Sequence, residues 1–196
     1  MLPATLVFCF VIGVLVSRYI YRHLAAWQLY QRDWNDLLSK VQPISVAAVT
    51  AIGDEYLNPT PHQLGLEPVD IWHSLGGLEG IERIRRNARI MLALAAYAQR
   101  WNFTESIIVK ERMRQDALHL QRATLQVILR TVFRTSRDTD VPPGRGVFYL
   151  HDSVGAYHLM TKRLLTLYRT SHAGLYPRLA EVLGDGLPLR TAEVGS

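Results

Sequence analysis

LEGIERIRRNARIMLALAAYAQRW, Leu78 to Trp101, is the stretch whose reading decides the fold. Leu78, Ile81, Ile84, Ala88, Met91/Leu92 and Ala95 recur at spacings of three and four, which places them on one face of an α-helix. From Ile90 to Ala98 the segment is apolar all round. A helix of that length rises only about 14 Å, far short of a bilayer. The stretch therefore reads as a central core helix with one wet end and one buried end.

Working outward, Asn102 or Thr104 is placed to cap a second long helix that runs to about Thr135. Val109, Met113, Ala117, Leu120, Thr124 and Val127/Ile128 lie along its inner face. So few residues separate the two helices that they should pack antiparallel. Ser136 to Gly146 is polar and contains Pro142-Pro143-Gly144, a loop composition. Asp152 or Ser153 reads as the cap of a third long helix, which reaches about His172 with Leu164, Leu165, Leu167 and Tyr168 inside. Gly174 ends it, and Pro177 fits the first turn of a short helix to Leu183. On the other side, Gly76-Gly77 separates the decisive stretch from a short helix over Val69 to Leu75. Asn58 to Pro68 holds three prolines after Asn58 and reads as a loop carrying His62, with Asp70 and Trp72 just beyond. Ile44 to Leu57 is one more helix, after Pro43. No convincing alternation of strand type occurs.

Leu2 to Val16 carries no charged side chain, and Arg18 and Arg22 follow almost at once. Residues 2–21 would span roughly 30 Å as a helix, the thickness of a hydrocarbon core, provided Arg18 snorkels to the headgroups. Tyr19, Tyr21 and Trp27 sit where interfacial anchors would lie. Positive charge falls only on the C-terminal side, which places the N-terminus outside and the body in the cytoplasm. A secretory signal is the rival reading. It lacks a basic n-region here, and Leu24-Ala25-Ala26, which could be cut, lies far past the apolar run. A buried helix of an ordinary domain is the other. Gly13 and Ser17, four apart, would let two such helices approach closely and form a homodimer. The helix is expected to run on past the membrane through Tyr30 and Trp34 to Leu37/Leu38.

The expected fold class is thus all-α: an N-terminal single transmembrane helix followed by a bundle of about three long and several short helices. The anchor is 1–23, juxtamembrane helices are 24–57, and the loop with its short helix is 58–76. The cytoplasmic bundle is 77–184, and 185–196 is a flexible tail.

Composition narrows function by exclusion. Lone Cys9 lies in the anchor, so no disulfide can form within the body. The formal net charge is +5, and of 22 basic residues only Lys40, Lys110 and Lys162 are lysines. That arginine bias follows from a GC-rich genome as readily as from phosphate binding. With the compact single-pass design it favours a bacterial inner membrane. The arginines alternate with acids and form no known motif, which argues against nucleic acid. No nucleophile elbow or P-loop is present.

Four groups remain as candidates. Arg83, Arg85, Arg86 and Arg89 could hold anionic lipid or an acidic partner, with Arg86 and Arg89 opposite the apolar stripe. Glu79→Arg83 and Glu82→Arg86 are also favourable i,i+4 pairs, the mark of a solvated face. His151, Asp152 and His158 could ligate a metal, since residues seven apart share a helix face. Asp116-x-x-His119 has the spacing of carboxylate-bridged metal sites, though no other helix supplies the matching motif. The loop with His62, Asp70 and Trp72 is the fourth, more simply a connector that packs Trp72 on the bundle. None of these specifies a cofactor, so none is expected, and no catalysis is inferred. The favoured function is a membrane-anchored scaffold, adaptor or accessory subunit with a protein partner in the same membrane. The alternatives are a metal-dependent enzyme or regulator using the bundle histidines, and a module binding anionic lipid.

Overall fold

In the computed structural model of the chain, residues 31–58, 68–100, 103–132 and 145–184 are described, together with Gly13, Ser17 and Leu29. They form seven helices and no strand: α1 (Trp34–Ser39), α2 (Val46–Leu57), α3 (Pro68–Leu75), α4 (Gly77–Gln99), α5 (Phe103–Val132), α6 (Arg145–Ser171) and α7 (Tyr176–Leu183). The all-α bundle of three long and several short helices is therefore observed.

The decisive stretch is α4. Its apolar stripe is inside from Ile81 onward, with Ile81, Ile84, Met91, Leu94 and Ala95 fully buried, while Leu78 in the first turn is exposed. Gly76 makes the sharp turn from α3 into α4 at φ +82°, a backbone region that favours glycine. α4 packs against α1, α3, α5 and α6, and α6 packs against α2, α4, α5 and α7. The two helices thus share the centre. Leu150, Val154, Met160, Leu164 and Tyr168 of α6 are completely enclosed, each such side chain contributing about 1.5–3 kcal/mol of transfer free energy. The Tyr168 hydroxyl donates to the Leu94 carbonyl at 2.9 Å, which ties the two central helices together.

α2 crosses α6 at close range because two glycines are notched into the contact. A Cβ on Gly53 would overlap the His158 ring, and one on Gly155 would overlap the Tyr56 ring. Arg178 of α7 donates to the Asn35 side chain of α1 at 3.0 Å and lies over the Trp34 ring at 5.9 Å. The short helices are thereby joined behind the core.

Two boundaries differ from expectation. First, α6 starts at Arg145, so Asp152 and Ser153 lie inside it and cap nothing. The Ser153 hydroxyl instead donates to the Tyr149 carbonyl one turn back, at 2.6 Å. Second, the chain does not run as one helix into Leu37 and Leu38. It breaks at 31–33, where Asp33 is extended at φ −70°, ψ 154°. That break lets α1 turn Trp34, Leu37 and Leu38 into the core. α5 begins at Phe103, directly after Asn102, the first of the two expected cap residues, and Thr104 lies within the helix.

Among the described residues no helix is long and apolar enough to cross a membrane. The expected span, residues 2–21, and the anchors Arg18, Tyr19, Tyr21, Arg22 and Trp27 lie outside the described residues. Gly13 and Ser17 alone are described there, both helical and exposed. The loop around His62 and the tail 185–196 also lie outside.

Candidate functional site

Lys40 ends α1, and Val41 to Ser45 follow as irregular chain before α2. Such a segment needs its backbone polar groups satisfied when it packs on a core. Asn87, completely buried in α4, does this. Its Oδ1 accepts the Gln42 N–H at 2.9 Å, and its Nδ2 donates to the Gln42 carbonyl at 2.7 Å. The same Nδ2 reaches the Tyr157 hydroxyl of α6 at 3.3 Å. Burial pushes that phenol up to about 12. Asn87 is thus a clamp between the 41–45 segment, α4 and α6.

The clamped segment is a wall with a hollow on each side. The outer hollow is an open groove of about 500 Å³, lined by Leu29, Ser39, Lys40, Val41, Gln42, Pro43, Arg86, Arg89 and Ile90. Three cations rim it, over a floor of Leu29, Val41, Pro43 and Ile90. Arg86 and Arg89 are three apart on α4, so both point the same way, and Lys40 faces them from the wall. The nearby carboxylates are shared. Asp36 serves Arg32 at 2.7 Å and Lys40 at 3.0 Å. Glu82 serves Arg85 at 3.3 Å and Arg86 at 3.4 Å. Arg83 bonds Glu79 at 2.6 Å, and that contact holds the Glu79 carboxyl below its ordinary range. Arg83, Arg85 and Arg89 are half-buried and Arg86 is exposed. Even with Asp33 counted, cations outnumber carboxylates on this face.

The inner hollow, about 300 Å³, lies between the wall, α2, α6 and α7. Ile44, Val46, Val49 and Leu165 give it an apolar side, and His158, Lys162 and Glu181 a polar one. Lys162 Nζ is 3.3 Å from Asp54 Oδ1, and His158 Nε2 is 3.7 Å from the same oxygen. Charge here is balanced.

The metal candidates are not brought together. His151 and His158 do share α6, but His151 lies against the Tyr56 ring at 5.7 Å, while His158 turns to Asp54 rather than Asp152. Asp116 pairs with Arg163 of α6, and His119 is exposed. Among the described residues no three His, Cys, Asp or Glu side chains form a group that could hold a metal ion. Asp70 is exposed, and Trp72 is buried in the core beside Gly77.

Of the sequence candidates, then, the structure brings Arg86 and Arg89 into one groove. Lys40 and Asn87 are the members that sequence reasoning missed. No family model, curated protein or solved structure matches this chain.

Proposed function

We propose that this chain is a single-pass membrane protein, N-terminus outside, whose helical body on the cytoplasmic side serves as a scaffold, adaptor or accessory subunit of a membrane complex. The observation that carries the reading is the position of the groove. Leu29 packs on the core and lines the groove beside Lys40, Arg86 and Arg89. It follows the apolar stretch 2–21 by eight residues, which span at most about 29 Å even when fully extended. The first described residue after that stretch therefore lines the basic groove. A cytoplasmic domain held against an anionic leaflet is expected to present such a face.

The rest of the body supports a binding role over a reaction. His158 is packed beneath Gly53, Asp116 is engaged by Arg163, and Tyr157 and Asn87 hold the wall. Meanwhile Ile107, Ile108, Leu118, Leu125 and Leu129 of α5 are exposed. Ile107, Leu118, Leu125 and Leu129 fall within about 40° of one another at 100° per residue, an apolar stripe suited to a partner helix in the same complex.

The test is extraction of native membranes with alkaline carbonate, then purification of the tagged full-length chain in mild detergent. Retention in the carbonate-washed pellet and recovery with a stoichiometric, salt-resistant membrane partner is the expected result. Release by carbonate would refute the anchor. Recovery of this chain alone would refute the accessory-subunit role.

A further inference from the structure

The groove has a chemistry more specific than general attraction to a charged surface. Arg86 and Arg89 both line the groove, and each guanidinium is a planar fork of N–H donors shaped for two oxygens of one anion. Glu82 is 3.4 Å from Arg86 Nε, at the long end of hydrogen bonding, and is divided between two arginines. It occupies little of Arg86's donor capacity. Lys40 gives one of its three ammonium protons to Asp36, leaving two for the groove. Cations supplied from two separate elements, Lys40 after α1 and the arginines of α4, suit a tetrahedral phosphate better than a planar carboxylate, because its oxygens point in several directions at once.

The floor adds a second requirement. Leu29, Val41, Pro43 and Ile90 offer no hydrogen bond from their side chains, so a free, fully hydrated phosphate would meet an apolar surface there. An amphiphile with a phosphodiester head and a hydrocarbon neck satisfies both halves. The volume, about 500 Å³, is within the range of roughly 300–1,000 Å³ common for small-ligand sites. Placement also agrees. The groove opens beside Leu29, a few residues from the stretch read as the anchor, where lipid headgroups are the phosphates at hand.

We propose that this groove binds the headgroup of one anionic glycerophospholipid, with the phosphodiester between Lys40 and the Arg86–Arg89 pair and the glycerol neck on Leu29, Val41, Pro43 and Ile90. The proposal rests on the membrane-anchored reading above. Asn87 acts as a positioning residue: by fixing Gln42 it sets the distance from Lys40 to the two arginines. Such a lipid would hold the body at one angle to the membrane, which is what an accessory subunit needs to meet its partner in register.

The experiment uses the full chain in nanodiscs of equal phosphatidylglycerol and phosphatidylcholine. Native mass spectrometry then reads which lipid stays bound on release from the disc. The wild-type chain should retain one phosphatidylglycerol. K40Q/R86Q/R89Q should lose the preference for it, by about fivefold for each cation removed. R112Q/R114Q/R122Q, an equal charge change at exposed positions of α5, should keep it. Equal retention of the two lipids by the wild type, or equal loss in both triple variants, would overturn the headgroup site. So would displacement of the lipid by millimolar inorganic phosphate. Failure of the chain to enter nanodiscs, with release by carbonate, would instead remove the anchored reading and this proposal with it. Those failures differ in readout, because a chain that inserts without lipid preference leaves the anchor standing.

Discussion

Two hollows share one wall, Val41, Gln42 and Pro43, and differ in charge. On the inner side Lys162 is matched by Asp54, with Glu181 close by. On the outer side Lys40 shares Asp36 with Arg32, Arg86 shares Glu82 with Arg85, and Arg89 adds a third cation to the lining. Val41, Gln42 and Pro43 cannot cause the difference, since both hollows use them, and of the wall side only Lys40 adds charge to the outer hollow alone. The opposite surface does: α6 and α7 bring acid and base in step, whereas α4 brings arginines at 83, 85, 86 and 89 against glutamates at 79 and 82 alone. Shape at this end of the molecule comes from one clamp, and charge chiefly from which helix faces it.

The strongest way to break the comparison is to remove the clamp. Asn87→Ala leaves the Gln42 N–H and carbonyl without their partner and deprives Tyr157 of a donor. Unsatisfied polar groups at a protected site cost about 1–3 kcal/mol each, reduced here where water can enter. A loss of about 2–4 kcal/mol in urea unfolding is expected, with faster amide exchange at Gln42. A loss under 0.5 kcal/mol would mean that apolar packing holds the wall.

The next largest effect concerns Tyr157, which stands behind the wall on the inner side. Its folded value is raised, from 10.0 to about 12, chiefly by burial. A raised folded value means that ionisation opposes folding. Stability from the neutral phenol is therefore complete below pH 10 and is lost as pH climbs from 10 toward 12. The change amounts to roughly 3 kcal/mol if the whole interval is linked to unfolding. Tyr168 is pushed up for the same reason and acts in the same direction. Tyr157→Phe should flatten this alkaline slope, as read from unfolding midpoints between pH 9 and 12. An unchanged slope would assign the loss to other groups. Because the Asn87 hydrogen bond lowers the Tyr157 value, Asn87→Ala should also move its titration to still higher pH.

Gly53→Ala tests the inner hollow alone. The added methyl would overlap the His158 ring, which must then shift toward the cavity it lines. Overpacking of this kind costs about 1–3 kcal/mol. The outer groove is walled off from His158, so lipid selectivity should stay at the wild-type level while the thermal midpoint falls. A parallel loss of selectivity would show that the two hollows are mechanically one.

How much of this was legible in the sequence depended on the range of the interaction. α4 was readable because its stripe repeats within one helix, and Arg86 and Arg89 were readable as a phase on that helix. The start of α6 was not. Asp152 and Ser153 have the composition of a cap, but the apolar positions Tyr149, Leu150 and Val154 straddle them and keep the helix going. The break at 31–33 was hidden because Tyr30, Trp34 and Leu37/Leu38 keep helical spacing across it, although Asp33 is a residue type suited to start a helix. Asn87 was the hardest. It sits between arginines and looks like surface, yet its partners lie 45 and 70 positions away in the chain. A polar residue at the margin of an apolar stripe was the only signal available. Lys40 gave none, since its role exists only once the wall is clamped.

The smallest expected effect on stability is the sharpest test of what the two hollows teach. Glu82→Gln removes the carboxylate that Arg85 and Arg86 divide, at contacts of 3.3 and 3.4 Å on the rim of the outer groove. Exposed ion pairs contribute little, so unfolding free energy should move by less than about 0.5 kcal/mol. Lipid selectivity should nevertheless rise severalfold, because Arg86 then turns its whole fork to the groove. Asp54→Asn is the matched change on the inner side. It also removes a carboxylate shared by two basic groups, Lys162 and His158, at 3.3 and 3.7 Å. It should leave phosphatidylglycerol retention as it was. If both substitutions raised retention alike, net charge alone would set lipid preference and the groove would have no part in it. A rise with Glu82→Gln only would locate the preference on the outer face, where α4 sets arginines against a wall that Asn87 holds.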